Sequence, residues 1–173
     1  MTKEETILRK PEIGRENPFE HHVGHFYSIH ETRDYMHARW AVIKELERME
    51  THSSISAAID HILDCLRLCR GDNMGQREFL PSLYLQVDRD QDCYDFIKWW
   101  TTTANDYDFR DMTLPFMDIH GADSLEDIIP EFEASLQFYA AYVLLKHRAL
   151  SILLTMKKYD AFLLGECVVC DLH

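Results

Sequence analysis

Ser53-Ser-Ile-Ser-Ala-Ala-Ile-Asp-His-Ile-Leu-Asp64-Cys-Leu-Arg-Leu-Cys-Arg70-Gly-Asp72-Asn73-Met-Gly75-Gln-Arg77-Glu-Phe-Leu-Pro81 is the stretch on which the fold turns. Ile55, Ala58, Ile59, Ile62, Leu66 and Cys69 recur at intervals of three and four, the spacing that gathers side chains on one face of an α-helix. Ser53 or Ser54 is expected to cap that helix, because a short hydroxyl accepts from the free N–H groups of the first turn. Arg70-Gly71 is expected to close it, with a base in the last turn and then a glycine able to turn left-handed. A second helix should begin at once. Asn73 is its expected cap, with Gln76 three residues on returning the bond in capping-box fashion. Phe79, Leu80, Leu83, Tyr84 and Val87 give its apolar face, and Pro81 is expected to kink it. The stretch therefore reads as a helix–turn–helix hairpin.

The same pattern continues on both sides. Upstream, Met36, Trp40, Ile43 and Leu46 predict a helix from about Glu31 to Glu50. Downstream, Asp88 or Asp90 is expected to cap a helix that carries Cys93, Phe96, Ile97 and Trp100 on its core face. Between Ala104 and Glu133 stand nine acids and one base, Arg110, with Pro115, Gly121 and Pro130 as breakers. This segment is expected to be a solvated loop with one short helix near Leu114–Ile119. From Glu131 to Lys158 a long helix follows. Phe132, Leu136, Tyr139, Val143 and Leu150 form one stripe and Phe138, Tyr142, Leu145 and Ile152 a second, so it is expected to lie buried between layers. Residues 1–30, interrupted by Pro11, Gly14, Pro18 and Gly24, read as an irregular arm. Residues 31–160 form one helical domain and 161–173 a tail. Within the domain, Leu80-Pro81 recurs as Leu114-Pro115 and Ala58–Ile62 matches Cys93–Ile97 in residue class, at offsets of 34 and 35. Such a period belongs to helical-hairpin repeats.

The turn Asp72-Asn73-Met74-Gly75-Gln76-Arg77 resembles the inter-helix turn Asp-Asn-x-Gly-x-Arg of tetratricopeptide-like hairpin proteins. Ser53 to Trp100 is also similar to segments of fungal proteins associated with MYND-type zinc fingers and of the suppressor-of-tumorigenicity family. The resemblance implies an all-α fold of stacked antiparallel helical hairpins that serves as a scaffold for protein association. Asp72, Asn73 and Gly75 are its turn architecture, and no catalytic role attaches to them. The paired Cys and His ligands of a complete MYND finger are not present.

Composition narrows the function classes. The chain has 173 residues, enough for one domain with a real core. Only 6 Gly and 5 Pro leave little turn material for many short strands. A net charge of −12 without a basic stripe argues against nucleic acid and against anionic membrane surfaces. Met1-Thr-Lys-Glu-Glu-Thr has no apolar core of a signal peptide, and the apolar run Phe138–Leu145 is too short to span a bilayer. Five cysteines, an odd number, suggest reduced thiols and a cytoplasmic or nuclear setting.

Three groups have ligand chemistry. His21, His22, His25 and His30 cluster in the arm; His61, Cys65 and Cys69 share one helical face; Cys167, Cys170 and His173 have the best zinc spacing but supply three ligands. Solvated histidines and buried structural thiols are the plainer reading of the first two. No phosphate loop, nucleophile elbow or HExxH is found. The expected function is accordingly a non-catalytic protein–protein interaction module without a cofactor. Arg33, His37 and Lys44 of the first helix and Arg77 and Tyr84 of the third are the candidates for its binding face. Cations there would favour an acidic peptide. A zinc-containing adaptor using Cys167, Cys170 and His173 is the alternative, and an all-α enzyme built from His and Asp residues of separate helices is the third.

Overall fold

Helix boundaries follow from a few capping groups. The computed structural model describes residues 3–9, 17–126 and 135–163. Its helices are α1 (Lys3–Leu8), α2 (Pro18–His21), α3 (His30–Arg48), α4 (His52–Leu68), α5 (Leu80–Gln86), α6 (Asp90–Thr101) and α7 (Leu136–Leu163). No strand occurs among the described residues; Gly24 and His25 make isolated bridges to Cys69. Thr51 caps α4, two residues before the expected serines. Its hydroxyl accepts from the Ser54 N–H while the Ser54 hydroxyl accepts from the Thr51 N–H, a reciprocal box.

The hairpin turn is built differently from its expected form. Asp72, at φ +46, is the capping residue: its two carboxylate oxygens accept from the Gln76 and Arg77 N–H groups at 2.8 and 3.0 Å. Asn73 instead accepts from the Cys69 thiol at 3.2 Å. Gly75 stands at φ +67, and a Cβ there would meet nothing within 4 Å, so its reason is the left-handed backbone and not close packing. Gly71 is not left-handed. After a 3-10 turn at Gln76–Glu78, Pro81 falls in the first turn of α5, where a missing N–H costs nothing, so it starts a helix where a kink was expected.

Sequence neighbours pack as spatial neighbours. α1 rests on α3, α3 on α4, α4 on α5, α5 on α6, and α7 lies against both α5 and α6. The predicted faces are the buried ones: Ile55, Ala58, Ile59, Ile62 and Leu66 of α4 meet Cys93, Phe96, Ile97 and Trp100 of α6 in one core cluster. Each large aliphatic side chain buried in this way stabilises the fold by roughly 1.5–3 kcal/mol before entropy is counted. The arm is partly ordered by the same core, since Leu8 and Phe26 are buried in it and Thr32 donates to the Phe26 carbonyl.

Residues 104–126 do not form a solvated acidic loop, nor a helix at 114–119. Tyr107, Phe109 and Phe116 pack around Trp99 at centroid distances of 5.1, 6.5 and 5.1 Å. The buried Asp95 pins the far end, accepting from the Gly121 and Ala122 N–H groups at 2.7 and 2.9 Å. Acids point outward while the aromatics between them cover α6. The two Leu-Pro pairs are consequently not equivalent: Leu80-Pro81 opens α5, whereas Leu114-Pro115 lies in this segment without helix. Ala58–Ile62 and Cys93–Ile97 do share a mid-helix place, in α4 and α6.

Candidate functional site

α7 has 28 residues and is therefore ~42 Å long, and it is held over only part of that length. Phe138, Ala141 and Leu145, at i, i+3 and i+7, are buried against the body, with the Phe138 ring 5.9 Å from that of Phe96. Lys146 donates to the Ser124 and Glu126 carbonyls. Arg148 closes the seat, donating to Asp90 Oδ1 at 2.6 Å and to the Leu85 carbonyl at 3.1 Å. From Leu150 to Asp160 every residue is exposed. The expectation of a helix buried between layers is corrected accordingly: one side is covered, and only as far as Arg148.

Two apolar surfaces result. The stripe Leu136, Tyr139, Val143 and Leu150 faces away from the body; Leu136, Val143 and Leu150 are 81, 62 and 55% exposed. The seated stripe itself runs on past the body as Ile152, Met156 and Tyr159, all exposed. Isolated exposed apolar residues need no explanation, whereas contiguous ones mark interaction surfaces.

The cations predicted to line a binding face are engaged within the fold. Arg33 donates to the Tyr27 carbonyl at 3.0 Å and covers that ring at 5.1 Å, while the exposed His37 meets the same ring at 6.2 Å. Lys44 lies over Phe79 and Trp40 at 4.1 and 4.9 Å and pairs with Glu47 at 3.6 Å. Arg77 covers Trp100 at 4.6 Å beside Glu78 and Asp72. Tyr84 is nearly buried, and burial pushes its hydroxyl pKa up. Arg33 and His37 are thus brought together on Tyr27, while Lys44, Arg77 and Tyr84 each serve a separate aromatic contact. Arg39, another base of α3, links Asp64 at 2.9 Å with the Tyr35 hydroxyl at 2.7 Å. Burial raises the Asp64 pKa, but Arg67 and Arg39 together hold it below the ordinary carboxylate range.

A cavity of about 240 Å³ lies between α6, α5 and the 104–126 segment. Leu63, Tyr84, Phe96, Trp99, Phe116 and Ile119 wall it, with Arg89, Asp92, Asp95 and His120 also lining it. Its carboxylates are committed to structure: Asp92 accepts from Arg89 at 2.6 Å, and Asp95 accepts from Gln91 as well as from the two backbone groups. The arrangement is an apolar notch of side-chain size, and no nucleophile–base pair converges on it.

Among the described residues no group of His, Cys, Asp and Glu has metal-binding geometry. That includes His21, His22, His25 and His30, and also His61, Cys65 and Cys69. Burial pushes the Cys65 and Cys93 thiols up to about 11 and about 12, which removes their thiolate reactivity. Cys167, Cys170 and His173 lie outside the described residues. No helix among the described residues is long and apolar enough to cross a membrane.

Compared with known proteins, the chain matches no family model, and no curated protein or solved structure gives a significant match. The candidate site is therefore defined by its own geometry. The stripe Leu136, Tyr139, Val143 and Leu150 was visible as a periodicity; what sequence reasoning missed is that this stripe stays outside.

Proposed function

We propose that the chain is a non-catalytic protein-association module whose docking element is the outward stripe of α7. The observation that carries this reading is that Leu136, Tyr139, Val143 and Leu150 form one apolar line along a helix whose other face is anchored. A rigid helix with an uncovered apolar line suits an amphipathic segment of a protein partner, which would lay its own apolar face against it. The engagement of Arg33, Lys44 and Arg77 with aromatic rings inside the fold moves the proposed face from α3 and α5 to α7. Three buried free thiols fit a reducing compartment, the cytoplasm or nucleus.

The test is affinity purification from the native host with the full chain and with a Val143→Glu/Leu150→Glu variant. Bound proteins should be recovered with the parent chain and fall at least ~tenfold with the variant, since two hot-spot-sized losses multiply. Both residues are exposed, so circular dichroism of the variant should be unchanged. Equal recovery of every partner with a folded variant would remove α7 from the binding face.

A further inference from the structure

The tip of α7 presents a different surface from the outward stripe. Beyond Arg148, the face that seats the helix continues as Ala149, Ile152, Met156 and Tyr159 with no described residue beneath it. We propose that this tip pairs antiparallel with the same segment of a second copy of the chain, about a two-fold axis near Leu154.

Three features select a second copy as the occupant. The first is shape. Pairing about Leu154 sets Ile152 of one copy against Met156 of the other, and the small Ala149 against the large Tyr159, so that bulk meets space at both ends. The second is charge. In the same register Asp160 of one copy stands level with Arg148 of the other. Lys157 and Lys158 stand level with Ser151 and Leu150, one turn from the Asp88 carboxylate, which is 92% exposed and 3.7 Å from Arg148. Asp90 is already held by Arg148 and Asp92 by Arg89. Asp88 is therefore the carboxylate left facing solvent at that rim, and two lysines meet it in a chain whose net charge is −12. The third is area. Ile152, Leu153, Leu154, Met156 and Tyr159 expose roughly 500 Å² per copy, or about 1,000 Å² in a pair, which reaches the lower bound of specific interfaces. The pair is thus a reversible dimer of modest affinity.

Sedimentation equilibrium of the full chain across the micromolar range tests this directly. The parent chain should reach a dimer, and Ile152→Glu should raise its dissociation constant by at least ~tenfold with the same helix content. Lys157→Glu/Lys158→Glu should also weaken the dimer, and adding Asp88→Lys to that variant should restore it, which a dimer formed through another face would not do. Weakening should lessen in high salt for the parent chain and vanish for the charge-reversed one. A parent chain that is monomeric throughout overturns the proposal. So does a dimer that survives Ile152→Glu unchanged. Loss of fold in Ile152→Glu would mean that a segment of the same chain covers the tip, and that also overturns it. Val143→Glu/Leu150→Glu should leave the dimer intact, so failure of self-pairing and failure of the partner-docking reading are separable.

Discussion

At the scale of single residues the hairpin turn carries the most consequence. Burial pushes the Asp72 carboxyl up to about 6 from an ordinary 3.8, outweighing the Arg77 and Gln76 N–H groups that favour its charged form. Between those two values the folded chain keeps a proton that the unfolded chain has lost. Stability from this group is therefore present below the unfolded pKa and declines as pH rises through the folded one. The gap of about two units corresponds to ~3 kcal/mol. The advantage of the parent chain over Asp72→Asn, measured by urea unfolding on either side of this window, should shrink by up to that amount at the higher pH. An advantage independent of pH would mean that the carboxyl is ionised throughout. Three residues on, Gly75 allows a separate check. With open space around it but φ at +67, Gly75→Ala should cost ~1–2 kcal/mol. Gly75→Asn should cost less, because a short amide tolerates the left-handed region. A stabilised Gly75→Ala protein would overturn the backbone explanation.

At the scale of elements, proline and a capping box distinguish starts from interruptions. Pro81 lies in the first turn of α5 and is buried. Pro81→Ala should therefore destabilise, by ~1–2 kcal/mol, through lost contact and a freer unfolded chain. A proline breaking a helix interior would have the opposite sign, since its removal relieves ~3 kcal/mol. Thermal unfolding of the variant decides between them by sign alone. For α4, Thr51→Ala removes the oxygen that receives the Ser54 N–H and should cost ~1 kcal/mol by the same measurement. The start of α4 was legible only to within three residues, because Thr51, Ser53 and Ser54 are all competent caps. The backbone chose Thr51, which is extended at ψ 151 and so lies just outside the helix.

At the scale of the molecule, α7 is the element whose two sides have different fates. Leu145 is 6% exposed and seated on the body, whereas Val143, two residues earlier, is 62% exposed. Leu145→Glu should cost at least ~4 kcal/mol, through a lost apolar contact and a buried charge. Val143→Glu should change stability by no more than ~0.5 kcal/mol. Urea unfolding of the pair measures both, and equal losses would show that the outward stripe is covered as well.

Local physics made the helices legible. The three-and-four spacing of Ile55 to Leu66 and of Cys93 to Trp100 selects both the element and its buried face, because only one face of each helix is apolar. Asp72, Asn73 and Gly75 announced a turn for the same local reason. Which of Asp72 and Asn73 would cap it depended on a left-handed backbone set by the packed ends of α4 and α5. The acids of 104–126 suggested solvent, yet Trp99 offered its aromatic neighbours a contact that no local pattern contains. In α7 the two stripes are equally apolar, so sequence alone could not choose between them. The surface of α5 and α6 took Phe138 and Leu145 and left Leu136 and Val143 outside. That choice belongs to the tertiary structure, because burial is a property of the surface opposite and not of the stripe itself.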